Sequence, residues 1–198
     1  MTSPTDLSDG LSARLSAMTG AVPVLETPRL VLRCPSPEDF PAWREHMADE
    51  ETMRFLGGVN PPHMAWRNMM TVVGAWPMVG FSMFSVIEKA TGRWVGRLGP
   101  WHPEGWPGNE VGWAIVRDCW GKGYATEGAQ AAVDFAFGVL GWDEVIHSIE
   151  SANAPSIAVA HRLGSKLSRK AMLPAPIDKE IDIYSQTRDA WLAAKSRA

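Results

Sequence analysis

The stretch Trp120-Gly121-Lys122-Gly123-Tyr124-Ala125-Thr126-Glu127 carries the plainest chemical signal in this chain. Its two glycines stand between an apolar, strand-like run, Val111 to Val116, and a helix-like run, Thr126 to Leu140. Glycine lets the backbone turn with several N–H groups pointing one way. The first helical turn adds its own unpaired N–H groups and the positive end of its dipole. Together these would make a pocket for phosphate or pyrophosphate, with Lys122 either adding a charge or simply solvated. A tight turn that needs glycine only for its geometry explains the short motif equally well. His102 is a second candidate for chemistry, because a histidine base needs little tuning near neutral pH. It sits in a proline-rich loop, where an exposed histidine is the simpler reading. Cys119 adjoins the turn, but nothing nearby marks an activated thiol, so packing is its expected role.

The elements that must position the turn follow from pattern and punctuation. Residues 1–23 read as an N-terminal extension, either mobile or a short docked helix on Leu7, Leu11 and Leu15; residues 24–198 read as one domain. Thr27 to Arg33 alternates as a first strand. Ser36-Pro37-Glu38-Asp39 starts a helix to about Met47, and Asn60-Pro61-Pro62 starts another ending near Gly74. Phe81–Glu88, Arg93–Gly99 and Glu110–Val116 form an antiparallel meander. Its last link is an aromatic, proline-rich loop over Pro100–Gly108. After the turn, a helix with small residues on its inner face ends at Gly141 and leads to a strand over Glu144–Ile149. That crossover should be parallel and right-handed. A helix from Asn153 to Gly164, strands over Ser165–Arg169 and Ile181–Gln186, and a terminal helix over Arg188–Lys195 complete the chain.

Composition narrows the function classes. The chain has 198 residues, a net charge of −3 and no long basic run, so nucleic-acid binding has no electrostatic support. A mildly acidic protein suits a cationic acceptor. No stretch is long and apolar enough to cross a membrane, and Met1 to Asp9 lacks the basic start and apolar core of a signal peptide. The two cysteines, Cys34 and Cys119, lie far apart and make no metal spacing. No metal site is expected, and a reduced, cytoplasmic protein is the simplest setting.

Among phosphate binders, a Walker A loop fails here. Val116 stands where its first glycine belongs and Gly123 where its Ser or Thr belongs. A dinucleotide fingerprint fits poorly: Thr126 replaces its third glycine, Glu150 is late for its acid, and a meander precedes the turn. An oxidoreductase of that kind would reveal itself by binding NAD.

The order strand, two helices, three-strand meander, glycine turn, helix, strand, helix, two strands resembles the GNAT superfamily of acetyl-CoA-dependent N-acetyltransferases. The local sequence looks like its ribosomal-protein N-terminal acetyltransferase-like branch. The matching pieces are Thr27-Pro28-Arg29-Leu30-Val31-Leu32-Arg33, Glu110-Val111-Gly112-Trp113, the turn Trp120 to Glu127, and Asn153-x-x-Ser156 through Arg162-Leu163-Gly164. Trp120 departs from the superfamily's Gln or Arg, though an aromatic is familiar in this branch. The resemblance implies an α/β (α+β) fold: a mixed, mostly antiparallel sheet of about seven strands flanked by helices, with one splayed parallel pair.

The resemblance also implies roles. Backbone N–H groups of Gly121, Lys122, Gly123, Tyr124 and Ala125, with Thr126 beside them, would hold the coenzyme A pyrophosphate. Trp113, Ala114, Ile115 and Val116 would bond the pantetheine arm in the splayed gap, and Asn153 would contact it as well. Glu110 matches a strand glutamate used as base; otherwise it is a solvent-facing strand residue. An N–H near Ala114 or Ile115 would receive the oxyanion. Ser156 would protonate the leaving thiolate, although Asn153 and Ser156 also suit helix capping. Neither Tyr124 nor Tyr184 matches the tyrosine acid of other members.

The acceptor amine, a protein N-terminus or a small molecule, would lie among the N-terminal helices, the Pro174–Asp178 linker and the loop residues Trp101, His102, Glu104 and Trp106. Those aromatics could equally be pinned to the core. Glu45, Asp49, Glu50 and Glu51 make an acidic run that attracts a cation or merely solvates a helix end. A homodimer is the family-level expectation. A catalytically silent acyl-CoA-binding sensor or scaffold with the same fold is the alternative reading.

Overall fold

The computed structural model describes residues 22–175 and 177–196. The proposed helix on Leu7, Leu11 and Leu15 lies outside these residues. The first strand differs from expectation. It is a hairpin of β1 (Leu25–Glu26) and β2 (Leu30–Arg33), because the Thr27 hydroxyl accepts from the Leu30 N–H at 2.9 Å and turns the chain at Pro28. A single 3-10 turn at Pro37–Asp39 leads into α1 (Phe40–Ala48). The acidic run forms an unforeseen short helix, α2 (Glu50–Met53), whose first turn the Asp49 carboxylate caps by accepting from the Thr52 N–H.

The next helix, α3 (Pro62–Val79), runs beyond Gly74 and through Pro77. Its buried stripe of Ala65, Met69, Val72 and Trp76 keeps helical spacing past Gly74, and Trp76 packs on Phe84 with ring centres 4.8 Å apart. Burial of that stripe outweighs the propensity cost of one glycine, about 1 kcal/mol.

The meander is β3 (Phe84–Glu88), β4 (Trp94–Trp101) and β5 (Glu110–Ile115), all antiparallel. Pro100 and Trp101 belong to β4 and not to the loop, since Trp101 pairs with Glu110 across the ladder. Then follow α4 (Tyr124–Gly138), β6 (Glu144–Ile149), α5 (Ala154–Arg162), β7 (Lys166–Leu173), β8 (Lys179–Thr187) and α6 (Arg188–Lys195). The sheet has eight strands in the order β1-β2-β3-β4-β5-β6-β8-β7, and its parallel pair is β5–β6.

One face carries α4 on Leu30, Leu32, Phe84, Val86, Leu98 and Val111. The other carries the Trp43, Met47, Met69 and Val72 cluster of α1 and α3 around Trp94. The helix α4 approaches the sheet so closely that a Cβ at Gly128 would lie 2.5 Å from Leu98 Cδ2. That approach fixes the height of its N-terminus above the ends of β4 and β5. Among the described residues no helix is long and apolar enough to cross a membrane, and no group of His, Cys, Asp or Glu is placed to hold a metal.

Candidate active site

Strands β5 and β6 share a single register pair, Glu110 with Ile146, and part beyond it. A cavity of about 800 Å³ opens at the parting. Strand alternation turns the N–H and C=O of Val111, Trp113 and Ile115 toward the gap, while the Val116 N–H is bonded to Val95 of β4 at 3.0 Å. Two of the gap carbonyls are already met by side chains. His147 Nδ1 donates to Val111 at 2.7 Å, and the Trp120 indole donates to Ile115 at 2.7 Å. The Trp113 N–H and C=O and the Ile115 N–H have no ladder partner and border the cavity. An amide-rich chain laid in the gap would satisfy them.

The glycine turn closes the other end of the cavity. Gly121 and Gly123 have φ of 74° and 84°, the left-handed region, and Gly123 is the N-cap of α4 with no side chain capping it. The first intrahelical bond runs from Glu127 N–H to Gly123 C=O, so the preceding amides stay unpaired at the cavity. By contrast α5 is capped by Asn153 and α6 by Thr187. Gly121, Gly123, Tyr124, Ala125 and Thr126 line the cavity; Lys122 does not, and its carbonyl accepts from Arg29 Nη1 at 2.9 Å.

A buttress that sequence reasoning missed holds this turn. Glu127 accepts from the Thr27 hydroxyl at 2.6 Å, the Arg29 N–H at 2.8 Å and Arg29 Nε at 2.6 Å. Burial opposes ionisation of Glu127, but these bonds outweigh it and hold the carboxyl below its usual range. The only signal for it was the motif Thr27-Pro28-Arg29 itself.

Trp113 spans the gap. Its ring packs on His147 at 4.9 Å, and its indole N–H donates to Ser156 Oγ at 3.3 Å. Ser156 also donates its N–H to Asn153 Oδ1 at 3.2 Å, so it is both a capped helix residue and part of the cavity wall. Its hydroxyl accepts from Trp113 and keeps its own proton free to donate.

A family model described as "Acetyltransferase (GNAT) domain" matches residues 29–166. The chain belongs to the GNAT acetyltransferase family. The matched domain is an acyltransferase domain whose donor is acetyl-CoA, and the uncapped turn and the free gap amides fit that donor's pyrophosphate and amide-rich arm. An acetyltransferase from Agrobacterium tumefaciens str. C58 superposes with a TM-score of 0.74 at 30% identity, over 83% of this chain and 94% of that one. An uncharacterized N-acetyltransferase, p20 of Bacillus licheniformis, is 28% identical over 142 residues, 70% of this chain and 80% of p20. YkkB of Bacillus subtilis (strain 168) is 33% identical over 92 residues, so the match spans 46% of this chain and 54% of YkkB.

Within this GNAT fold Glu110 is buried on the face of β5 away from Val111 and Trp113. Its carboxylate accepts from the Trp106 indole, the Ser148 N–H at 3.2 Å and the Ser148 hydroxyl at 3.0 Å. Burial raises its pKa against the pull of those bonds. It is therefore not the solvent-facing residue of the simpler reading. Trp106 packs on the Ile146–Ile183 cluster and Trp101 on the Trp43 cluster, so both are pinned to the core. His102 and Glu104 are exposed and line no part of the cavity. Tyr124 directs its hydroxyl to Glu88, and Tyr184 is buried against His161. Cys119 is buried, which raises its thiol pKa. Thr52, Phe55 and Leu56, in and after α2, form a cavity wall that sequence patterning left unassigned.

Proposed function

We propose that this protein is an N-acetyltransferase that transfers acetyl from acetyl-CoA to a primary amine by direct attack, with the amine on a protein N-terminus or a small molecule. The observation that carries this reading is the uncapped start of α4 opening into the same cavity as the unpaired edge of β5. Bound acetyl-CoA supplies an activated acetyl thioester at the parting of the strands. The amides from Gly121 to Thr126 hold its pyrophosphate, and Trp113 and Asn153 align its arm.

Glu110 takes the ammonium proton through ordered water, and burial tunes its pKa toward that task. The Ile115 N–H faces the gap and donates to the carbonyl oxygen as negative charge gathers there. The Ala114 N–H points to β4 by the same alternation, which leaves Ile115 as the donor. As the C–S bond breaks, the Ser156 hydroxyl gives its proton to the departing thiolate and regains one through solvent, matching the proton that the newly acylated nitrogen releases. The reading includes one catalytic domain over residues 24–198, the ribosomal-protein branch, a homodimer and a cytoplasmic setting.

Calorimetry with acetyl-CoA and a thiol-release assay over an amine panel test it together. Binding with release supports the enzyme. Binding without release across the panel would assign a coenzyme A sensor, and NAD binding would overturn both.

A further inference from the structure

Arg97 of β4 pairs directly with Ala114 of β5, so the two side chains are neighbours on one face, and Ala114 lines the cavity. The Arg97 side chain is largely buried. Its Nη1 donates to Met83 Sδ at 3.1 Å, and its guanidinium carbon lies 5.4 Å from the centre of the Trp43 ring. Its Nε is buried with no hydrogen-bond partner. Among the described residues no carboxylate forms an ion pair with Arg97, whereas Arg33 on β2 takes Asp39 in a two-pronged pair at 2.7 and 2.8 Å.

The Trp43 ring gives the guanidinium a cation–π face, but no described neighbour supplies an anion. His46 is buried with both ring nitrogens unpartnered, and burial, then the charge of Arg97, lowers its pKa to about 3. Burial lowers the pKa of Arg97 to about 10, which leaves it charged at neutral pH. Gly112 and Glu110 continue the same face of β5. A Cβ at Gly112 would lie 3.2 Å from Met83 Cε and 3.5 Å from Glu110 Oε1. Met83 thus touches the guanidinium and lies over Gly112, as the Glu110 carboxyl does; Ala114, beside them on this face, borders the cavity, and these three side chains sit behind its lining. Buried charges are ordinarily paired, because taking a charge out of water without a counter-charge is costly.

We propose that the acceptor is a small amine that also carries a carboxylate, with Arg97 recognising the carboxylate and Glu110 facing the amine. The assignment rests on the acetyl-transfer reading above and deepens it. It favours amino-acid-like acceptors over protein N-termini, whose neighbouring group is a neutral peptide.

The test is a thiol-release assay on matched pairs: α-amino acids and straight-chain ω-amino acids, each beside its primary amide, with N-terminal peptides as a further class. The acid is expected to exceed its amide in kcat/KM by about 10-fold or more, as a hydrogen-bonded buried charge implies. Arg97→Met should bring that ratio to near unity, and Arg97→Lys should restore part of it. Calorimetry with acetyl-CoA on each variant reports whether it is folded, and the wild-type acid-to-amide ratio tests the proposal without any variant. Amides or peptides turned over as well as acids would overturn it while leaving the acetyltransferase reading intact. So would an acid preference untouched by Arg97→Met. Added acetate raising the amide's rate to the acid's would assign the guanidinium to a free anion and overturn it as well. No acetyl-CoA binding and no release with any amine would instead defeat the underlying reading.

Discussion

On the donor side of β5 the groups that face the cavity are main-chain amides: the start of α4, the Trp113 edge and the Ile115 N–H. On the proposed acceptor side the groups are side chains set back from the cavity lining, with Glu110 on β5, Arg97 on β4 and Met83 before β3. The first set is oriented by local conformation, chiefly two left-handed glycines and a strand that loses its partner. The second exists only because separate elements pack together. Amides cannot be substituted, so the donor side should resist mutation except where a side chain alters the backbone. The acceptor side should respond directly to each side chain removed.

The largest expected effect tests that contrast at Glu110. Glu110→Gln should lower kcat by roughly 10²- to 10⁴-fold, the usual worth of a positioned base, with little change in acetyl-CoA affinity. A drop confined to KM would move Glu110 from chemistry to binding. The wild-type kcat/KM should fall as the pH drops through the raised pKa of Glu110, because only the ionised carboxylate takes a proton. Stability should run in the opposite sense. A carboxyl whose folded pKa lies above its unfolded value contributes most below the unfolded value, and that contribution is lost as the pH rises through the folded one. Glu110→Gln should therefore gain stability relative to wild type as the pH rises, read from urea midpoints at acidic and neutral pH. A constant difference across that range would mean Glu110 is ionised alike in both states.

Next in size is Gly123→Val, a side chain placed where the backbone itself is the proposed ligand. Its φ of 84° costs a β-branched residue about 1–2 kcal/mol, and the new Cβ would press on Arg29 Nη2 at 3.3 Å. Acetyl-CoA affinity should weaken by about 10- to 100-fold, alongside a loss of stability of about 1–2 kcal/mol from the strained backbone. Unchanged affinity would mean that the turn is only a turn.

This asymmetry also explains what could be read from the sequence. Gly121 and Gly123 between a strand and a helix, the Asn153 cap and the β5-α4-β6 crossover are local in sequence, so spacing and periodicity revealed them. Arg97 carries no signal of its own within the strand over Arg93–Gly99. Its lack of an anion depends on Trp43, His46 and Met83, which no pattern places beside it. The bond from Trp106 to Glu110 likewise needed the loop's path over Ile146. Thr27-Pro28-Arg29 read as part of a strand because its partner, Glu127, is about a hundred residues away. The length of α3 was misjudged at Gly74 because Trp76 is held by Phe84, a contact between distant parts of the fold.

The Arg29–Glu127 buttress should show a moderate effect on donor binding alone. Arg29 is about half exposed, so the ion pair itself is worth little, but its further bond to the Lys122 carbonyl ties the β1–β2 turn to the glycine turn. Arg29→Ala and Glu127→Gln should each weaken acetyl-CoA binding by roughly 3- to 10-fold, and the double mutant by less than the product. Full additivity would show that the two residues act separately and that no buttress exists.

The smallest effect is expected at Trp120, and it separates two uses of one side chain. Its indole N–H holds the Ile115 carbonyl, next to the N–H assigned to the carbonyl oxygen, while much of its ring is exposed. Trp120→Phe keeps an aromatic ring and removes only the donor. One hydrogen bond of this kind is worth about 1 kcal/mol, so a change of roughly 5-fold is the ceiling. If the bond fixes the strand edge for chemistry, the loss appears in kcat. If the ring instead walls the donor, KM for acetyl-CoA is untouched by Trp120→Phe and rises with Trp120→Ala. A rise in that KM with Trp120→Phe alone would mean that the Ile115 carbonyl, freed of the indole, disturbs how the donor's arm is seated, and the division between main-chain and side-chain territory would then be less sharp at this end of the gap.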